Sequence, residues 1–183
     1  MVSWRARWRP RPTPTQRRLP SQAEARSAPA LPNPEQTVVF RRAVVALNGG
    51  SSDARIVRLA AGVARQWKAE LVAVHVVEID WTQPLDADIA GRSEDVQRVL
   101  DLAEETAEDC QYKIEPVLLQ ARDVGAALVD EATEQRADML ILGLPYRKRF
   151  GGDFAIGSTI PYVLKNAPCA VWVVREPIPE ESA

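Results

Sequence analysis

Two kinds of apolar pattern alternate strictly along residues 38–176, and they specify an α/β protein built as a doubly wound, five-stranded parallel sheet in a three-layer α/β/α sandwich. Short runs that are apolar at nearly every position read as strands buried on both faces. Between them lie longer stretches with apolar residues every third or fourth position, the mark of amphipathic helices. Strand and helix follow one another as β-α-β-α-β-α-β-α-β, the order of parallel crossover units. With 183 residues and 46% hydrophobic content, the chain is long enough for one core.

The first strand is expected over residues 43–47. The turn Asn48-Gly49-Gly50-Ser51-Ser52-Asp53 then offers a helix cap at Ser51 or Ser52. Ile56, Leu59, Ala60, Val63 and Trp67 recur at helical spacing and mark the inner face of the first helix. Residues 71–77 form the second strand, and a polar stretch through Trp81 and Pro84 leads to Ser93. Val96, Leu100, Ala103, Ala107 and Cys110 trace the second helix, with glutamates on its outer face. The third strand is expected over 114–120, and a third helix starting near Asp123 should bury Val124, Ala127, Leu128 and Ala132. Residues 139–144 are the fourth strand. Ile160, Val163 and Leu164 line a short fourth helix that must stop before Pro168, whose ring disfavours helical geometry in its neighbour. Residues 170–174 complete the sheet.

Charge divides the chain. Residues 1–36 carry seven arginines against two glutamates, a net of +5, while the remainder carries −7. That segment also holds seven of the 14 prolines and almost no aliphatic residues, too few to offset chain entropy. It reads as a basic, disordered or polyproline-like tail. Its Trp4 and Trp8 among arginines suit contact with an anionic membrane surface, nucleic acid or an acidic partner, against the plainer reading of a solvated extension. The expected organisation is a tail at 1–36, one domain at 37–177 and an acidic end at 178–183. No apolar run approaches the ~20 residues needed to span a bilayer. Cys110 and Cys169 lack metal or redox spacing and read as reduced packing residues. A soluble, cytoplasmic protein is therefore the expectation.

Function is expected at the carboxyl ends of the strands where the winding reverses, between the first and fourth strands. Two glycine-bearing loops leave those ends, one after Leu47 and one after Gly143. The second, Ile-Leu-Gly-Leu-Pro-Tyr-Arg-Lys-Arg-Phe-Gly-Gly-Asp-Phe-Ala-Ile-Gly-Ser-Thr over residues 141–159, runs from a strand to a helix start. Backbone N–H groups and the positive end of a helix dipole make such a place an anion site. Arg147, Lys148 and Arg149 place positive charge beside it, and Ser158 and Thr159 add hydroxyls. Asp153 is the one carboxylate in the loop and the only local hint bearing on magnesium. His75, the single histidine, lies in the apolar second strand and reads as a core or pocket-wall residue. Gly49-Gly50-Ser51-Ser52-Asp53 has a partial similarity to the pyrophosphate loop of ATP pyrophosphatases, but the aspartate falls one position late, which turns its side chain by ~100° on a helix. No catalytic set assembles, so the expectation is a non-enzyme.

From the first strand to the last, the chain resembles the universal stress protein family. Tyr162-Val163-Leu164-Lys165-Asn166-Ala167-Pro168-Cys169-Ala170-Val171 closely matches the family's Tyr-Val-Leu-x-x-Ala-Pro-Cys-x-Val segment. Nucleotide-binding members carry Gly-x2-Gly-x9-Gly-(Ser/Thr) after the fourth strand. Here Gly143 stands for the first glycine, Tyr146 replaces the second, and Gly157-Ser158 falls one residue late. The family's aspartate after the first strand is Asn48. The resemblance implies a Rossmann-like fold of the adenine nucleotide alpha hydrolase type and a regulatory protein of the stress response binding ATP or another adenine nucleotide. Leu47, Asn48, His75, Val76 and Val77 would border base and ribose. Gly143, Gly157, Ser158 and Thr159 would hold the phosphates, with Arg147 or Arg149 closing over them. It further implies a homodimer through the last strand, where Val171, Val173 and Val174 form an apolar edge around Trp172. The altered loop is similar to that of universal stress domains fused to membrane transporters, which makes a transporter one candidate partner. The alternative is a nucleotide-free interaction module.

Overall fold

The computed structural model describes residues 40–82, 93–144 and 156–177. The segments 1–39 and 178–183, and with them both terminal tails, lie outside the described residues, as do 83–92 and 145–155. Five strands, β1 (Arg42–Leu47), β2 (Glu70–Glu78), β3 (Ile114–Ala121), β4 (Met139–Leu144) and β5 (Ala170–Arg175), alternate with four helices. These are α1 (Ser52–Trp67), α2 (Ser93–Asp109), α3 (Val124–Glu134) and α4 (Thr159–Asn166). Every strand pair is parallel and the sheet order is β3-β2-β1-β4-β5, so the anticipated architecture is the observed one.

Side chains alternate across the sheet and sort the core into two layers. Ala43, Val45, Leu47, Leu71, Ala73, Met139 and Ile141 face α1 and α2, packing with Ile56, Ala60, Leu100 and Ala103. Val44, Val72, Val74, Val76, Leu140 and Leu142 face α3 and α4, packing with Leu128, Ala132, Ile160 and Val163. The central strands are buried on both faces, which is why they read as unbroken apolar runs.

Three helix-face expectations are corrected. In α1 the buried stripe is Ile56, Val57, Ala60, Ala61 and Ala64; Leu59 is 39% exposed, and Val63 and Trp67 are only partly buried. Small alanines let the helix lie close to the sheet, so the stripe is rotated from the one drawn by the large residues. In α3 the fully buried residues are Gly125, Leu128, Glu131 and Ala132, with Val124 and Ala127 partly covered. In α4, Leu164 is 58% exposed while Ile160 and Val163 are buried. Cys110 and Cys169 are free and half-buried, as anticipated.

Asp138 fixes the lower edge of β1 against β4. Its carboxylate accepts the N–H groups of Arg41 at 2.7 Å and Arg42 at 3.1 Å. With β1 between β2 and β4, the carboxyl ends of β1 and β4 lie side by side, and the chain leaves them toward opposite halves of the sheet.

Candidate functional site

The crevice forms where β1 and β4 end, because β1 continues through α1 to β2 on one side and β4 continues through α4 to β5 on the other. The β1–α1 turn leaves the end of β1, and the start of α4 lies on the connection from β4 to β5.

Within that turn, Gly49 adopts φ +75°, a left-handed conformation that costs glycine nothing. Successive N–H groups then converge into a concave nest of the kind that holds anions. The occupant is Asp53. Its Oδ2 accepts from Gly49 N at 2.7 Å and from Asn48 N at 3.1 Å, and its Oδ1 lies 3.2 Å from Asn48 N. Asn48 closes an Asx turn by accepting from Gly50 N at 2.7 Å through Oδ1. Asp53 is only 5% exposed. Burial pushes its carboxyl above the ordinary value of 3.8, and the amide hydrogen bonds and the nearby His75 pull it partly back.

The capping expectation is corrected. Ser51 is the N-cap residue of α1, but its side chain makes no cap hydrogen bond and its backbone is already helical. Its hydroxyl instead donates to Glu176 Oε1 at 2.8 Å, just beyond β5. Ser52 is 1% exposed, and its hydroxyl has no hydrogen-bond partner among the described residues. It lies against Gly143, where an added Cβ would sit 2.8 Å from Ser52 Oγ and 3.0 Å from its Cβ. That packing is a reason for glycine at 143 independent of any ligand.

Leu47 and Asn48 stand where expected, at the end of β1. His75 is the register partner of Leu47, and its Nδ1 lies 3.1 Å from the Leu47 carbonyl. A carbonyl only accepts, so Nδ1 carries the proton and Nε2 is the acceptor in the neutral ring. His75, Val76 and Val77 do not present side chains to one pocket. Val76 packs in the α3/α4 layer, and Val77 joins Ile79 and Val96 under α2, so strand alternation separates what sequence adjacency grouped.

On the β4–β5 connection, Gly157 adopts φ +73° and leads to Ser158, the N-cap of α4, and to Thr159, its first residue. Ser158 makes no side-chain cap hydrogen bond. Arg147 and Arg149 fall outside the described residues. A separate groove of about 690 Å³, lined by Lys68, Glu70, Gln111, Tyr112 and Lys113 among others, lies at the start of β2 and β3, the opposite end of the sheet. Sequence reasoning missed the placement of Asp53, Ser51 and Glu176; the signal for Asp53 was three consecutive cap-competent residues following a glycine pair.

A parallel α/β sandwich with a crevice at the reversal point is the frame of many nucleotide-binding proteins. Residues 40–175 match the model of the universal stress protein family, and the chain belongs to that family. It is 24% identical over 145 residues to a universal stress protein of Methanocaldococcus jannaschii, covering 76% of this chain and 84% of that one. It is 31% identical over 136 residues to sensor protein KdpD of Mycobacterium tuberculosis, covering 74% of this chain but 14% of the sensor's length. Among solved structures, a universal stress protein from Archaeoglobus fulgidus superposes with a TM-score of 0.59 at 25% identity, over 74% of this chain and 98% of that one. A universal stress protein of the same organism in complex with dAMP gives 0.58 at 22% identity, over 74% and 98%.

Proposed function

We propose that this universal stress protein is a cytoplasmic, non-catalytic regulator that binds an adenine nucleotide in the crevice between β1 and β4 and reports it to a protein partner. The observation that carries the reading is the reversal point: the Asn48–Asp53 turn leaves the end of β1 beside the end of β4, and the Gly157–Thr159 helix start belongs to the connection from β4 to β5. The similar fold solved with dAMP supports the ligand class. Leu47, Asn48 and His75 would face base and ribose, and the first turn of α4 would take phosphate. Similarity to part of a sensor protein supports a signalling partner, a transporter among the candidates. The position of β5 at the sheet edge, with Val171, Val173 and Val174 half-buried, supports a homodimer formed through that strand.

A thermal-shift panel of ATP, ADP, AMP and cyclic nucleotides tests the reading. A ligand at 100 times its Kd stabilises by ~2.7 kcal/mol. Unmoved melting across the panel would favour an interaction module. One observation favours that second reading: in the β1–α1 turn the Asn48 and Gly49 amides donate to Asp53 and the Gly50 amide to the Asn48 side chain.

A further inference from the structure

We propose that the outer face of the α1/α2 layer docks a second copy of this chain, about a two-fold axis that runs along the helices and sets α1 of each copy on α2 of the other. The inference depends neither on the nucleotide reading nor on the β5 edge.

The two helices share one layout with opposite charge. Both cover the same side of the sheet, pack against each other and, because each follows a parallel strand, run in the same direction. Each is followed by a left-handed residue other than glycine, Lys68 at φ 54° or Gln111 at φ 53°, and these two residues line the same groove. Counted back from Lys68, Arg58, Leu59 and Arg65 stand ten, nine and three residues away. Asp101, Leu102 and Glu108 stand at the same three separations from Gln111. The rotation of the helices agrees as well, since Val57, Ala60 and Ala64 match Leu100, Ala103 and Ala107 in this count and all six are buried. Equivalent positions therefore point outward together: the four charged residues are exposed, and Leu59 and Leu102 are 39% and 48% exposed.

The chain itself leaves these charges uncombined. Among the described residues Arg58 and Arg65 form no ion pair, and the salt bridge on α2 joins Arg98 to Asp95. Asp101 accepts from the Gln97 side chain at 2.6 Å, which brings it no positive charge. Burial raises the Glu104 carboxyl, and Asp101 and Glu108 push it further in the same direction against the pull of Lys113.

Symmetry then selects the arrangement. Two such layers can meet about an axis lying across the helices or along them. The first sets α1 on α1 and α2 on α2, like charge on like. The second sets Arg58 against Asp101, Arg65 against Glu108 and Leu59 against Leu102, and makes each contact twice. At one level like meets like, Arg55 against Arg98, and there Asp95 already holds Arg98 at 2.9 Å. Helices of 16 and 17 residues are about 24 Å long and pack about 10 Å apart, so each copy contributes on the order of 500 Å². A standard interface takes ~800 Å² per partner, so this association is weak, reversible and salt-sensitive.

The test is charge exchange in the full chain, read by sedimentation at protein concentrations up to about 1 mM. Wild-type self-association should weaken several-fold between about 0.05 and 0.5 M salt. Arg58→Glu with Arg65→Glu makes both helices acidic, and Asp101→Arg with Glu108→Arg makes both basic. Each double variant alone should associate at least about tenfold more weakly than wild type, and an equimolar mixture of the two should return to within about threefold of it. Recovery on mixing requires both variants to be folded, and pairing through β5 would be the same in every sample. A wild type whose association ignores salt, variants that associate as tightly as wild type, or a mixture no tighter than its components would each overturn the proposal.

Discussion

Replacing Ser52 with alanine should stabilise the protein, an unusual direction for a change at a fully buried position. The Ser52 hydroxyl is enclosed at 1% exposure with no hydrogen-bond partner among the described residues. Leaving such a group unpaired costs about 1–3 kcal/mol. Deleting one oxygen opens less than a methyl-sized gap, and alanine is at least as good a helix former as serine. The net gain is about 1–2 kcal/mol, or roughly 3–8 °C in Tm for a folded body of this size. Gly143→Ala should do the reverse, by about 2–3 kcal/mol, because the new Cβ would meet Ser52 Oγ at 2.8 Å and Ser52 Cβ at 3.0 Å, and the second approach cannot be relieved by a side-chain rotation. In the double variant the contact to Oγ is gone but the 3.0 Å approach of the two Cβ atoms remains. The two changes should therefore couple by about 1 kcal/mol. Urea unfolding followed by circular dichroism and by fluorescence of the partly buried Trp67 and Trp172 gives all four corners of the cycle. Destabilisation by Ser52→Ala of more than about 0.5 kcal/mol, or strict additivity with Gly143→Ala, would refute the reasoning.

The remaining expectations are more local. Because burial raises the Asp53 carboxyl above 3.8, the folded state holds that proton more tightly than the unfolded state. The Asp53 contribution to stability is thus greatest below pH 3.8 and declines as pH rises from there through the folded-state value, then levels off. Asp53→Asn should remove that downward component from a plot of urea midpoint against pH, and an identical slope in the variant would count against it. Val163→Ala should cost about 1.5–3 kcal/mol and Leu164→Ala less than about 0.5, since the first is fully buried and the second 58% exposed; equal losses would mean that α4 sits in a different rotation. Asp138→Ala should cost about 1–2 kcal/mol through the Arg41 and Arg42 amides it leaves without a side-chain acceptor, read as earlier hydrogen exchange at the start of β1.

How far the primary structure reveals this molecule depends on whether a feature is periodic or pairwise. Strand order and the two-layer helix arrangement are periodic consequences, carried by dozens of residues. They survive local misreading: spacing gives α1 the stripe Ile56, Leu59, Ala60, Val63, Trp67 while the structure buries Ile56, Val57, Ala60, Ala61, Ala64, and the place of α1 in the fold is the same with either. Two stripes sharing Ile56 and Ala60 differ by a modest rotation, and hydrophobicity alone favours large residues where close helix–sheet approach favours alanine. The site is pairwise, and there the same reasoning weakens. Ser51, Ser52 and Asp53 are all competent to cap α1, and nothing local says which will. The choice is made by Glu176, 125 residues away, which draws off the Ser51 hydroxyl, and by Gly143, whose missing side chain makes room for Ser52. Asp53 is left to turn back onto the amides of Asn48 and Gly49. A glycine pair before a helix announces that amides will converge; whether they converge on a ligand or on the chain's own carboxylate is fixed by contacts that no spacing rule contains. For that reason the amides at the β1 end of the sheet meet the protein's own carboxylate, Asp53.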